Sequence, residues 1–288
     1  MNVPSAPSAP SPSSALSASF TAANVERFSG FAETYDRHRP SPPEALPALL
    51  CQYAGIASAS DARPALVVDL GSGTGLSTRL WSGHADHVIG IEPNPEMRAQ
   101  AARETTAPTI EYREGHSAAT GLPDASADIV MVAQALHWME PTSTFAEVAR
   151  ILRPGGVFAA VDNDWPPLIS PQIDQQFYES RRRERTLVET GDYEREIRSW
   201  AKPGHLGRME KSGQFSMVRE FFLHKQDSGD AARMIGLVLS QGGTQTLLKA
   251  GMSEDDIGLT GYRAALDTLF GGVARAWWWT FRVRIGVR

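Results

Sequence analysis

Apolar residues along this chain arrive in two rhythms, and their alternation outlines a fold before any motif is considered. Phe28, Phe31 and Tyr35 recur at roughly helical spacing until Arg39-Pro40 breaks the pattern, because the residue before a proline is pushed out of helical geometry. A second helix is expected from Pro42-Pro43, with Leu46, Leu49, Leu50 and Tyr53 on one face. Short strand-like runs follow at Ala65 to Leu70, Val88 to Ile91, Thr109 to Arg113, Asp128 to Gln134 and Val157 to Val161. Helices are expected between them. One starts at Leu76 to Trp81 and another covers Glu96 to Arg103. A third carries Phe145, Val148, Ala149 and Leu152 as an i, i+3, i+4, i+7 stripe that Pro154-Gly155-Gly156 stops.

Five such alternations argue for a parallel sheet covered on both faces, and right-handed crossovers make a doubly wound topology the economical one. Beyond Pro171 the rhythm changes. Residues 172 to 212 are polar and helical in character, Phe215 to His224 predicts a sixth strand, and helices are expected near 229 to 240 and 254 to 270. Trp277 to Arg288 alternates like a last strand. The expectation is therefore an α/β fold: a doubly wound, mostly parallel, seven-stranded Rossmann-like sheet with a helical cap. The predicted divisions are a disordered Ala/Ser/Pro tail over 1–22, a ligand-binding core with N-terminal lid helices over 23–165, and a cap and substrate region over 166–288 that also supplies the last two strands.

Composition narrows the class of partner. The 288 residues carry a formal net charge of -5, so no basic field points to nucleic acid or an anionic membrane. No apolar run approaches the ~20 residues needed to span a bilayer, and the N-terminal stretch lacks the basic start and apolar core of a signal peptide. Cys51 is the only cysteine, which excludes an intrachain disulfide and suits a reducing, cytoplasmic setting. His84 and His87 lie three apart with no third ligand nearby, so no metal is expected. A small-molecule partner and a monomer or homodimer are expected.

The chemistry concentrates at Val67-Val68-Asp69-Leu70-Gly71-Ser72-Gly73-Thr74-Gly75. A glycine-rich turn between a buried strand and a helix brings a ligand close to backbone amides. Its third glycine departs from the dinucleotide spacing G-x-G-x-x-G, and Asp69 precedes the first. A carboxylate there is awkward beside a pyrophosphate but suits a ligand carrying an ammonium and a sulfonium. Glu92, at the end of the second strand, is placed to accept both ribose hydroxyls of an adenosine.

Taken in order, Val67 to Gly75, Glu92, Gly115 to Pro123, Ala133 to Trp138 and Leu152 to Gly156 resemble class I S-adenosylmethionine (SAM)-dependent methyltransferases. The nearest likeness is to the broad small-molecule group that includes trans-aconitate methyltransferases, whose opening segment Phe28 to Tyr35 with Arg39-Pro40 is also similar. The resemblance spans about residues 28 to 162. It implies SAM as cofactor, with Asp69, Gly71, Ser72, Gly73 and Gly75 at its methionine end and Glu92 on the ribose. Pro93 and Met97 would pack on the adenine, Ser117 would lie along its edge, and Gln134 would face the methionine portion. Tyr35 and Arg39 would close over the cofactor, Arg39 as a partner for its carboxylate. The family's usual acidic residue after the glycine equivalent to Gly115 is absent, since the stretch reads His116-Ser117-Ala118-Ala119.

His137 and Trp138 fall at the carboxyl edge of the fourth strand, where open α/β sheets bind ligands. His137 is the candidate base or positioning residue, and Trp138, Asp164 and Trp165 are candidate acceptor contacts. The run Arg181 to Arg185 is either a site for an acidic acceptor or a solvated helix face. Two readings compete with methyl transfer to a small-molecule carboxylate, hydroxyl or carbon nucleophile: an NAD(P)-dependent oxidoreductase on a similar sheet, and a non-catalytic SAM-binding regulator.

Overall fold

The computed structural model describes residues 22–56 and 62–288, so the expected tail lies almost wholly outside them. The five apolar runs form β1 (Val67–Leu70), β2 (Val88–Ile91), β3 (Ile110–Arg113), β4 (Ala127–Ala133) and β5 (Leu152–Asn163). They are joined by β6 (Met217–Gly229) and β7 (Arg275–Val287) in one sheet of order β3-β2-β1-β4-β5-β7-β6. Period-two alternation splits β1 between the two faces. Val67 packs with Leu46, Trp81, Ile129 and Met131, whereas Val68 and Leu70 pack with Ile89, Val130, Phe145 and Phe158.

The sheet is mixed, which corrects the expectation of a mostly parallel one. β1 to β5 pair in parallel, but β7 runs antiparallel to both β5 and β6. The β6–β7 ladder extends over thirteen residues on each strand, against four on β1 and β2. The cause is legible in the side chains: β6 alternates exposed and half-buried positions along its length, a pattern that suits antiparallel strands with one wet face.

Helices α1 (Ala32–His38) and α2 (Leu46–Tyr53) precede the sheet, and α3 (Pro95–Glu104) and α4 (Pro141–Ile151) lie within it in sequence. Then come α5 (Pro171–Thr190), α6 (His205–Lys211), α7 (Ala231–Leu239), α8 (Gly242–Lys249), α9 (Glu254–Ile257) and α10 (Leu259–Phe270). α5 packs against α8, α9 and α10, and α7 packs against α1, α10 and β6.

The helix expected from Leu76 does not form. The chain runs through turns to a single 3-10 turn at Arg79–Trp81. Ser77 and Thr78 instead direct their hydroxyls back to Asp69, and short hydroxyl side chains bonded in this way compete with helix propagation.

Candidate functional site

The glycine turn owes its shape to three left-handed residues, Gly71 at φ +66, Gly73 at +55 and Gly75 at +85. At Gly71 the space is also needed: a Cβ would stand 2.7 Å from that of Ala135 and 2.8 Å from Met139 Cε. The amides of Gly71 and Ser72 both donate to the Ile91 carbonyl, at 2.8 and 3.2 Å, which pins the turn to the end of β2.

Two buried carboxylates support this turn from behind. Asp69 Oδ2 accepts the hydroxyls of Ser77 and Thr78, both at 2.7 Å, while Oδ1 has no hydrogen-bond partner among the described residues. Burial pushes the Asp69 carboxyl up to about 6, against the two hydroxyls that pull it down. Glu92 accepts the amide of Gly73 at 2.9 Å and that of Asn94 at 2.8 Å, and its carboxyl too is raised by burial. The Asn94 side chain in turn caps α3 through the amides of Glu96 and Met97, and donates to the Val25 carbonyl.

In front of the turn lies a cleft with about 490 Å³ of empty space, part of it open to solvent. Tyr35, Arg39, Gly71, Ser72, Gly73 and Gln134 line it, six residues that the sequence singled out, together with Thr74, Leu76, Asn163 and Phe281, which it did not. Ser72 Oγ, Thr74 Oγ1 and Gln134 Nε2 are buried here without hydrogen-bond partners among the described residues. Buried polar atoms rarely stay unpaired, so these three mark a place built to receive polar groups.

Arg39 closes one wall. Its guanidinium donates to the hydroxyl and carbonyl of Ser240, both at 2.8 Å, and lies 4.8 Å from the Tyr35 ring and 4.7 Å from that of Trp165. Asp36, on α1, receives Arg79, which also donates to the Thr74 carbonyl, so α1 is tied to the turn.

Gln134 is one of three non-glycine residues described with a positive φ, at +57. Its carboxamide oxygen accepts Lys202 Nζ at 2.6 Å, and Lys202 continues to Asp162 at 3.0 Å. Asp162 is bound from its other side by Arg284 at 2.9 Å, and Arg284 reaches Glu220 at 2.8 Å. A row of alternating charges thus crosses from β4 through β5 and β7 to β6 behind the cleft. Burial raises the Asp162 carboxyl, but Lys202 outweighs it and holds the group below its ordinary value. Lys202, in a polar stretch without a motif, had no sequence signal beyond its charge.

The structure does not bring every predicted residue to the cleft. Ser117 exchanges a hydrogen bond with Thr144 at 2.9 Å, and Met97 is packed beneath the start of α3. His137 and Trp138 form the rim beyond Gln134, with ring centroids 4.4 Å apart and Phe28 edge-on to Trp138 at 5.9 Å. Burial, reinforced by Lys202, drives the His137 imidazole well below its ordinary pKa, so it is neutral at physiological pH. Its carbonyl accepts the Trp200 amide at 2.8 Å. Trp165 stacks on Phe177 and meets Trp279 edge-on, so it walls the region beside Arg39, whereas Asp164 is exposed and lies 3.7 Å from Arg282.

Comparison with known proteins bears on the domain and its fold. Residues 68–160, which run from β1 to β5, match the family model described as a methyltransferase domain. An uncharacterized methyltransferase of Mycobacterium tuberculosis is 41% identical over 138 residues, 47% of this chain and 51% of that protein, so the chain spans about half the length of this relative. A candidate type II methyltransferase structure from Anaeromyxobacter dehalogenans superposes with a TM-score of 0.59 at 24% identity, covering 86% of this chain and 97% of that one. A candidate methyltransferase of an antibiotic biosynthesis pathway from Anabaena variabilis gives 0.51 at 20% identity, over 83% and 97%. At such identities the two structures speak for the fold.

Proposed function

We propose that residues 68–160, which match a methyltransferase domain, are of the class I SAM-dependent type, and that the chain binds SAM in the cleft and directs its methyl group to a small-molecule acceptor. The observation that carries the reading is the convergence of Ser72 Oγ, Thr74 Oγ1 and Gln134 Nε2, all buried and unpaired among the described residues, on one glycine-lined cleft, with the unpaired Asp69 Oδ1 behind its turn. This donor and acceptor set fits a ligand with an ammonium, a carboxylate and ribose hydroxyls.

Bound there, SAM supplies a methyl group on a positively charged sulfur. Asp69, with one oxygen held by Ser77 and Thr78, would offer the other to the ammonium. Glu92 keeps a lone pair on each oxygen for the ribose while it holds the Gly73 amide. Gln134, oriented by Lys202, presents its amide N–H groups to the methionine end. Tyr35 and Arg39 exclude water from above. Trp138 and Trp165 bound the acceptor side. His137, held neutral and so in the form that accepts a proton, is the candidate base or positioning residue, and its carbonyl ties the Trp138 loop to the Trp200 amide. The residues would chiefly align the acceptor with the methyl group for its displacement, and alignment of this kind is worth ~7–11 kcal/mol.

Calorimetry with S-adenosylhomocysteine (SAH) and with NAD tests the reading. SAH is expected to bind and NAD is not; the reverse pattern points to an oxidoreductase and sinks the proposal. Radiolabelled SAM incubated with fractionated metabolite extracts is expected to label a small acceptor. SAH binding with no label in any fraction points to a regulator instead.

A further inference from the structure

A second cavity, with about 920 Å³ of empty space, opens between residues 22–30, α5 and the segment around residues 189–195. Two guanidiniums lie deep in it: Arg27, with a side chain 9% exposed, and Arg181, 28% exposed. Arg185 and Arg195 stand at its exposed rim, as do Glu189 and Asp192. Arg27 is ion-paired with Glu194 and Arg181 with the buried Glu184. Arg27 Nε nonetheless has no hydrogen-bond partner among the described residues.

Behind Arg27 and Glu184 lies the start of α8, Gln241-Gly242-Gly243-Thr244. Both glycines are required by what lies on them. A Cβ on Gly242 would run into the Arg27 guanidinium, and one on Gly243 into the Glu184 carboxylate. The Thr244 hydroxyl is buried and unpaired among the described residues. The Glu184 carboxylate, paired with Arg181, therefore already rests against a helix N-terminus, the place where oxyanions are bound.

The lining carries four arginines, Arg27, Arg181, Arg185 and Arg195, against four carboxylates, Glu184, Glu189, Asp192 and Glu194, so an entering anion has to displace one of the carboxylates. Burial first, and then repulsion from Arg39, Arg185 and Arg27, lowers Arg181 to about 9. Arg27 also lies 5.3 Å from the ring of Trp138, which places the cavity next to the proposed acceptor side.

We propose that this cavity anchors an oxyanion group, carboxylate or phosphate, carried by the methyl acceptor, with Arg181 and Arg27 as its ligands and Glu184 as the internal carboxylate it displaces. The inference rests on the methyltransferase reading and names its substrate class. The forked guanidinium matches either oxyanion by paired N–H donors. Arg27, over the Trp138 ring, links the anchor to the proposed acceptor side.

The test uses the full chain saturated with SAH at low salt, titrated calorimetrically with succinate and, separately, with inorganic phosphate at up to tens of millimolar. At least one probe is expected to bind, and which one does separates carboxylate from phosphate acceptors. Arg181→Gln is expected to weaken that binding at least ~10-fold, about 1.4 kcal/mol. Glu184→Gln, which removes the competing carboxylate without removing a cation, is expected to tighten it. Arg195→Gln, at the rim, is expected to change it less than ~2-fold, as for an exposed charge. SAH affinity of each variant reports that the fold is intact, and Arg181→Lys, which keeps the charge but not the fork, is expected to fall between wild type and Arg181→Gln. No binding of either probe, or binding indifferent to both Arg181→Gln and Glu184→Gln, overturns the anchor while SAH binding leaves the methyltransferase reading standing. Failure of SAH itself to bind wild type refutes that reading instead.

Discussion

Replacing Asp69 by Asn separates the charge of this buried carboxylate from its shape. The Asp69 carboxyl is raised from 3.8 to about 6 because the folded chain buries it with one oxygen unpaired. Between those two values the native protein holds a proton that the unfolded chain has lost. Stability from this group is thus fully present below pH 3.8 and is lost as pH rises through about 6. A tenfold difference in proton affinity between the folded and unfolded chain is ~1.36 kcal/mol, so the full loss is about 3 kcal/mol, of which about 2 kcal/mol falls between pH ~4.5 and ~7.5. Asn cannot titrate. Its own gains and losses, including the hydrogen bonds to Ser77 and Thr78, are the same at both pH values and cancel in the difference. The stability of Asp69→Asn relative to wild type is therefore expected to rise by about 2 kcal/mol from pH ~4.5 to ~7.5, seen as roughly 4–8 °C in relative Tm for a chain of this size. Thermal melts of the ligand-free proteins across this range measure it. A relative Tm that stays flat, or moves the other way, refutes the claim that the carboxylate is costly in the empty site. The same variant is expected to lose SAH affinity at neutral pH, and wild-type affinity is expected to fall as pH drops below about 6.

Three further substitutions probe the rest of the cleft. Gly71→Ala forces a Cβ to 2.7 Å from Ala135 in a left-handed turn, and is expected to cost ~1–3 kcal/mol and at least ~10-fold in SAH affinity; an unchanged Tm and affinity would remove the turn's steric argument. Glu92→Gln leaves one amide, of Gly73 or Asn94, facing an N–H group, and is expected to weaken SAH binding ~10-fold or more by calorimetry, given ~1.5–3 kcal/mol for each charge-assisted bond. Equal binding would show that the ribose is held elsewhere. Lys202→Met frees Gln134 and strips Asp162 of one of its two cations, and is expected to destabilise the fold by ~1–3 kcal/mol and reduce SAH affinity several-fold; a variant that melts and binds like wild type would reduce the charge row to decoration.

Strand positions were legible because β1, β2, β4 and β5 are short apolar runs, and a run buried on both faces has little other place to go. Their parallel order followed from the helices between them. The antiparallel placement of β7 was not legible: the alternation in Trp277 to Arg288 identifies a strand, but direction depends on which edge α10 delivers it to. The helix expected from Leu76 failed for a local reason, since Ser77 and Thr78 found Asp69 before they found helical partners. At the site, Gly71, Gly73, Tyr35, Arg39 and Gln134 were readable because turns and strand ends carry residue-type requirements. Lys202 and Arg284 were not, because a single cation in a polar stretch, or in an alternating strand, looks like any solvated charge until the fold seats it beside Asp162.

The insertion of β7 between β5 and β6 carries a consequence for the order in which the molecule is made. β5 leaves the ribosome more than a hundred residues ahead of β7, yet the Asp162 it carries gains Arg284 only when β7 arrives. Until then β5 presents an unpaired edge, and a long-range pairing has to close over α5 to α10 before the edge is covered. Phe281, which lines the cleft in front of the glycine turn, comes on the same strand. The nascent chain thus makes its glycine turn well before the strand that completes the cleft wall.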